Sequence, residues 1–312
     1  MMRYARQMQV AAVGTEGQSR IGHAHVLIVG AGGLGVPALQ YLTGAGIGHI
    51  TLIDPDRVEE SNLHRQPIYG RHLGAPKALA AQMEMAALNA DTVVTPVVSL
   101  LDPANAPPRI AAADIVLDCA DSFAASYTLS DLCLAAGVPL ISASALETGG
   151  YVGGFCGGAP SLRAVFPDLP DRAARCETAG VMGPMVGMLG AAQAQMALAV
   201  LIGIHPSPLG QILRFDGLRP STFRFDGVAE PQSGPRFVAR TDLTPQDLVI
   251  ELRDATEAPV PAVPWAVRNG TPDPARRTVF ACRSGLRAWH AAATLSPNWP
   301  GEIALLAAGD SE

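Results

Sequence analysis

The chain has 312 residues, 48% of them hydrophobic and 16% charged, with a formal net charge of -6. That length holds one large α/β domain and a small appendage, and the apolar share is that of a globular protein with a sizeable core. The acidic balance, without a basic block, excludes nucleic acid as a main partner, and the start Met1-Met2-Arg3-Tyr4-Ala5-Arg6-Gln7 has no apolar run of the secretory kind.

In chain order, the sequence predicts helix and turn to about Ile21, a strand over 25–29, a small-residue helix over 34–45 and a second strand over 49–53 that ends at Asp54. A loop rich in Asp, Glu, Asn and Pro runs to Pro76, and an alanine-rich helix covers 77–89. Strands over 93–98 and 115–117, separated by a Pro-rich segment and a short helix, precede a helix over 123–136 and a buried strand over 138–143. Strands alternating with helices of this length predict an α/β fold: a Rossmann-like, mostly parallel sheet with helices on both faces.

From Gly149 the texture changes, with hairpin signals at Gly149-Gly150 and Gly157-Gly158. Residues 181–204 are almost continuously apolar and long enough to span a bilayer. Pro184, Gln193, Gln195 and several glycines within them favour a buried core helix, and no membrane partner is expected. A two-stranded unit over 212–215 and 222–225 follows. Composition then divides the chain into a domain over 1–229, a linker over 230–242 that opens Glu230-Pro231-Gln232-Ser233-Gly234, and a small C-terminal α/β segment over 243–312. Cys119, Cys133, Cys156, Cys176 and Cys282 form no Cys-x-x-Cys pair, so reduced thiols in a cytoplasmic protein are expected and no metal-site spacing is present.

Gly30-x-Gly32-x-x-Gly35, with Gly33 and Leu34 inside it, follows a strand and opens a helix. Glycines allow the sharp turn and the close approach of phosphates, and the helix start offers free N–H groups. Asp54 stands about twenty residues on, where a carboxylate can accept from ribose hydroxyls. The motif alone leaves a dinucleotide site and plain glycine packing open. Downstream, Arg65 and Lys77 supply fixed positive charge of the kind a triphosphate needs. Asp118 and Asp121 end a strand at the sheet's carboxyl edge, where a hard carboxylate suits Mg²⁺. Singly, each of these could be surface charge or a helix cap.

Together, the order Arg3-Tyr4-x-Arg6-Gln7, the glycine turn, Asp54, Asn62-Leu63-His64-Arg65-Gln66, Pro76-Lys77, Asp118-Cys119-Ala120-Asp121 and Cys176-Glu177-Thr178-Ala179-Gly180-Val181-Met182-Gly183-Pro184 resembles the ThiF/MoeB/HesA family over about residues 3–228. These are the prokaryotic relatives of ubiquitin-activating enzymes. The resemblance implies an adenylyltransferase: ATP and the C-terminal glycine of a small ubiquitin-like sulfur-carrier protein ending in Gly-Gly give an acyl-adenylate and pyrophosphate, in thiamine or molybdopterin biosynthesis. It implies that Gly30, Gly32, Gly33, Leu34 and Gly35 hold the phosphates and Asp54 the ribose. Asn62, Arg65, Gln66 and Lys77 would bind the triphosphate, Asp121 would bind Mg²⁺, and Arg6 would reach the ATP site of the other subunit of a homodimer. In-line attack by a carboxylate needs positioning and charge neutralisation more than a protein nucleophile.

The sequence departs from the family in places. Many members hold zinc with two Cys-x-x-Cys pairs; here Ser161-Leu162-Arg163-Ala164 stands in the first place and no cysteine follows Phe225-Asp226-Gly227 in the second, so no zinc is expected. Ser122 and Ser126 replace the usual Asn and Arg after Asp121. Cys176 matches a loop cysteine that in some relatives bonds to the carrier's acyl group; it could equally be a thiol without a role. Val249-Ile250-Glu251-Leu252-Arg253-Asp254 and Cys282-Arg283-Ser284-Gly285-Leu286-Arg287 resemble the two ends of a rhodanese-like sulfurtransferase domain, shortened between them. That resemblance implies a persulfide on Cys282, stabilised by loop N–H groups and a helix start, with a cysteine desulfurase as sulfur donor. A vestigial segment is the alternative. Two other readings stand against adenylation: an NAD(P)-dependent oxidoreductase, which leaves Arg6, Arg65 and Lys77 unexplained, and a non-catalytic scaffold that binds the carrier.

Overall fold

The computed structural model describes residues 3–169, 180–231 and 234–309. Helices α1 (Ala5–Met8) and α2 (Gly14–His23) precede β1 (His25–Val29), α3 (Gly35–Ala45) and β2 (His49–Ile53). Next come α4 (Lys77–Leu88), β3 (Val93–Val97), α5 (Ala106–Ala111), β4 (Ile115–Asp118), α6 (Phe123–Ala136) and β5 (Pro139–Leu146). The chain continues through β6 (Gly149–Cys156), α7 (Leu162–Val165), α8 (Gly183–Ile202), β7 (Gln211–Asp216) and β8 (Arg219–Arg224). Runs such as His-Val-Leu-Ile-Val in β1 and Ile-Val-Leu-Asp in β4 have no polar face because helices cover both sides of these strands.

The eight strands form one sheet in the order β3-β2-β1-β4-β5-β6-β7-β8. Pairing is parallel from β3 to β5 and antiparallel from β5 to β8. The expected two-stranded unit is therefore not separate: β7 and β8 extend the main sheet through β6. The strand expected over 138–143 runs on to Leu146 because it turns directly into β6.

Helix α8, long and apolar enough to cross a membrane by length and composition, buries 56% of its apolar window inside the fold. Val186, Leu189, Gln193, Ala194 and Ala197 are buried. Gly190 allows the backbones of α8 and α3 to touch, since a Cβ there would lie 2.3 Å from the Leu34 carbonyl oxygen.

The C-terminal residues form β9 (Arg236–Phe237), β10 (Leu248–Glu251), β11 (Thr278–Cys282), α9 (Leu286–Leu295) and β12 (Ile303–Ala307). Their all-parallel sheet has the order β10-β11-β12-β9, so Arg236 and Phe237, in the stretch whose composition reads as linker, pair with β12. One core joins this unit to the large domain: Phe237, Phe280, Trp289 and Leu305 cluster with Tyr127, Leu140, Phe155 and Phe225. The Pro-, Ala- and Val-rich stretch between β10 and β11 supplies a second core, with Ala262 and Val263 packed among Val279, Ala281 and Leu306.

Where a zinc staple would join two loops, Ser161 and Glu230 meet. The Ser161 N–H and hydroxyl each donate to the Glu230 carboxylate at 2.6 Å, and Ser161 is fully buried. Removing the acceptor leaves both Ser161 donors without their protein partner. Glu230→Ala is therefore expected to lower unfolding stability by about 1–3 kcal/mol, measured by urea denaturation. An unchanged midpoint would show the contact to be incidental.

Candidate active site

The strand order reverses between β1 and β4, the crevice where ligands bind in such sheets. Val29 at the end of β1 pairs with Asp118 at the end of β4, so the two following loops run side by side. Gly30 has φ +100°, and a Cβ there would lie 2.5 Å from the Cys119 carbonyl oxygen. Only glycine fits that contact.

Two buried groups clamp the turn. The Asp54 carboxylate accepts the Ala31 N–H at 2.6 Å on one oxygen and the Asp56 N–H at 2.8 Å on the other. Burial raises the Asp54 pKa above the ordinary carboxylate value, against those two N–H bonds. The Tyr69 hydroxyl, wholly buried, donates to the Ala31 carbonyl at 2.8 Å. Nothing local in the sequence distinguishes Tyr69; its one signal is that a buried tyrosine needs a partner for its hydroxyl.

Arg65 lies across the turn: a Cβ on Gly33 would come within 3.3 Å of Arg65 Cδ and 2.7 Å of a Val186 methyl on α8. Its guanidinium donates to Asn62 Oδ1 at 2.6 Å, and Nη1 lies 2.8 Å from His64 Nε2. Asn62 thus aims Arg65. Lys77, the first residue of α4, has a buried stem and an ammonium group paired with Asp56 Oδ2 at 2.8 Å. Asp56 must yield for that ammonium to meet a phosphate, and its exposed carboxylate can do so into water. Gln66 is buried beside Gly32, and its Oε1 has no hydrogen-bond partner.

On the β4 side, the two aspartates separate into different roles. Asp118 is completely buried and accepts from Ser142 Oγ at 2.8 Å, the Ala120 N–H at 3.2 Å and the Ser126 hydroxyl. Gln193 of α8 donates to the Asp118 carbonyl at 2.8 Å and accepts from the Cys119 thiol at 3.4 Å. Asp118 is therefore an anchor for the loop and not a metal ligand, while Asp121 is exposed at its tip. Ser126, in the place of the family's arginine, supports that anchor.

Burial pushes the Asp118 pKa up to about 6. A raised carboxylate pKa means that the native state binds more protons than the unfolded chain between the unfolded value and about 6, so ionisation above that range opposes folding. Wild type should therefore gain stability relative to Asp118→Asn as pH falls from 7 to 4, measured by thermal melting of both chains. Parallel curves would contradict the shift.

The structure brings together the glycine turn, Asp54, Asn62, Arg65, Gln66 and Lys77, with the Asp121 loop beside them. It does not bring Arg6 there within one chain. Helix α1 sits at the far end of α3, where Gln7 donates to the Ala45 carbonyl at 3.0 Å and Tyr4 abuts Gly46, and Arg6 is exposed. Cys282 lies apart, at the end of β11: its buried sulfur accepts the Gly285 N–H at 3.2 Å and the Ala288 N–H at 3.4 Å. Cys176 falls outside the described residues. Among those described, Cys119, Cys133, Cys156 and Cys282 are free and buried, and no cluster of three metal-ligating side chains occurs.

The chain is 46% identical to the adenylyltransferase and sulfurtransferase UBA4 of Yarrowia lipolytica over 206 residues, covering 65% of this chain and 52% of that protein. It is 41% identical to the adenylyltransferase and sulfurtransferase MOCS3 of Sus scrofa over 223 residues, covering 70% and 49%. The chain thus spans about half the length of the curated relatives it matches. In fold it is similar to the crystal structure of E. coli MccB with ATP, with a TM-score of 0.61, 21% identity and coverage of 74% of this chain and 73% of that one. It is likewise similar to MccB with MccA-N7isoASN, with a TM-score of 0.63 at 21% identity over 72% of this chain and 71% of that one. The family model of the ThiF family matches residues 4–234, and the chain belongs to that family.

Proposed function

We propose that this chain is an ATP-dependent adenylyltransferase that activates the C-terminal carboxylate of a small ubiquitin-like sulfur-carrier protein. The observation that carries this reading is Arg65, aimed by Asn62 across a glycine turn held at Ala31, with Lys77 and Asp121 on either side of the switch-point crevice. A pyridine dinucleotide needs no such guanidinium over its phosphate turn, because backbone N–H groups suffice.

In the reaction, one oxygen of the carrier's carboxylate bonds to the α-phosphorus, and the bond from that phosphorus to the α–β bridging oxygen breaks, releasing pyrophosphate. The carboxylate is already ionised, so no general base is required. Turn N–H groups and the start of α3 take phosphate oxygens. Arg65 and Lys77 neutralise the leaving group, and Asp54 would accept from the ribose. Asp121, an exposed hard carboxylate at the open edge, fits Mg²⁺, whose charge would further stabilise the leaving pyrophosphate. UBA4 and MOCS3 are named both adenylyltransferase and sulfurtransferase, which favours a sulfur carrier over a free peptide. Arg6 would complete the crevice of a second copy; a chain that sediments as a monomer at full activity would remove that element.

Carrier-dependent ATP–pyrophosphate exchange tests the reading. Exchange with a Gly-Gly-ending carrier supports it, nucleotide binding without exchange supports a scaffold, and binding of NADH in place of ATP supports an oxidoreductase. Cys282 would hold sulfur as a persulfide received from a cysteine desulfurase, its anion facing the N–H groups of Gly285 and Ala288. The outer sulfur would displace AMP from the acyl-adenylate, and a second thiol would cleave the acyl disulfide to release the thiocarboxylate. Cys282→Ala should leave exchange intact and abolish thiocarboxylate formation on the carrier, read by mass spectrometry; undiminished thiocarboxylate would mean that Cys282 carries no sulfur.

A further inference from the structure

Helix α6 has two tasks in this fold. Its first residue, Phe123, comes two positions after Asp121, so the helix carries the loop on which that carboxylate stands. Its outer side is gripped by the C-terminal unit. The Tyr127 ring meets Trp289 of α9 edge-on, with centroids 4.9 Å apart. Arg163 lies against both rings, its Cζ 5.0 Å from each centroid, and makes a two-pronged bond to Asp131 at 2.7 and 2.8 Å. Phe237 also stacks against Trp289, with centroids 6.5 Å apart. Gly285 presses on the first turn of α6: a Cβ there would lie 2.5 Å from the Phe237 ring and 3.5 Å from Ala124 Cβ.

An α-helix is stiff over three turns, so holding Ala124, Tyr127 and Asp131 fixes the direction in which residues 121–123 leave β4. Arg163 is almost wholly buried, and its Nε and Nη2 atoms hold the Asp131 carboxylate in a two-pronged pair. The adenylation loop is thus held from inside by Asp118 and Gln193, and from outside by a unit that belongs to another part of the sequence.

We propose that the C-terminal unit is a fixed positioning element of the adenylation site, with Trp289 acting through α6 to hold the Asp121 carboxylate in place. This rests on the adenylation reading for its consequence and on geometry alone for the contact. The unit, on this account, serves the first half-reaction whether or not Cys282 carries sulfur. Trp289 touches neither nucleotide nor carrier; it is a positioning residue.

The test uses the full chain and compares Trp289→Ala with Trp289→Phe. Hydrogen exchange of the amides at 119–126 should lose protection in the alanine variant, while those at 26–29 stay protected, and phenylalanine should restore the loop. In carrier-dependent exchange, the Mg²⁺ concentration for half-maximal rate should rise about tenfold or more in Trp289→Ala, as when a group behind a metal ligand is removed, with nucleotide affinity in EDTA unchanged. Should Trp289→Ala not give folded protein, Trp289→Leu removes the ring contacts with Tyr127 and Arg163 while keeping more of the apolar volume, and carries the same expectations. Wild-type protection at 119–126 together with a wild-type Mg²⁺ requirement would overturn the proposal. A wild-type chain without exchange would overturn the adenylation reading instead, and the hydrogen-exchange result would still decide whether the unit holds the loop.

Discussion

Asp121→Ala should cut carrier-dependent pyrophosphate exchange by about a hundredfold or more, the usual loss when one preorganised charge-stabilising contact is removed. The melting temperature should stay within a degree or two of wild type, because surface substitutions away from packing and hydrogen-bond networks change stability little. Asp121 is exposed. Three residues earlier the expectation inverts. Asp118 is wholly buried with three donors turned on it, and alanine there would strand the Ser142 hydroxyl and the Ala120 N–H and loosen the loop from beneath. Activity and stability together tell the two apart: loss of exchange in a fully stable chain assigns Asp121 to the reacting complex. Full exchange in Asp121→Ala would remove it as metal ligand and leave the β4 side of the crevice without a reacting group.

The pair Asp118 and Asp121 also shows how far the sequence could be read. Both follow one apolar strand, and local pattern cannot say which carboxylate faces inward. The answer comes from Ser142 on β5 and Gln193 on α8, distant in sequence and brought over β4 only by the fold. Strands β1, β2 and β4 were legible because unbroken β-branched runs have few alternatives. Strands β7 and β8 were legible as a hairpin but not as the edge of the main sheet, since β8 is exposed along its whole length and carries no burial pattern to mark its partner. The glycine spacing after a strand marked a turn but left dinucleotide binding and plain packing open. Its clamp was only half visible: the spacing marks Asp54 as a ribose acceptor but not as the group that fixes Ala31, whereas Tyr69 reaches the same residue from a segment with no periodic signal. The pairing of Lys77 with Asp56 was hidden for the same reason, as the two meet across a long loop.

Gly35 carries the second large effect. Replacing glycine by alanine inside a helix ordinarily stabilises by about 0.5–1 kcal/mol, because alanine restricts the unfolded chain more. Gly44, in the same helix α3, is such a position: a Cβ there meets nothing within 4 Å, and Gly44→Ala should raise stability by that amount. At Gly35 the Cβ would fall 1.9 Å from the Gly30 carbonyl oxygen, against backbone and not against a movable side chain. The turn or the start of α3 must move by more than an ångström, a strain costing about 1–3 kcal/mol in a packed interior, which outweighs the helix-propensity gain. Gly35→Ala should therefore melt lower than wild type while Gly44→Ala melts higher. The same displacement swings the first N–H groups of α3 away from the place where phosphate is held, so ATP affinity, measured by calorimetry, should fall in Gly35→Ala and stay unchanged in Gly44→Ala. A destabilised Gly35→Ala chain that still binds ATP at full strength would mean that the turn is packing alone and that the triphosphate is held elsewhere in the crevice. Loss of both together ties the nucleotide to the turn where Gly35 packs against the Gly30 backbone.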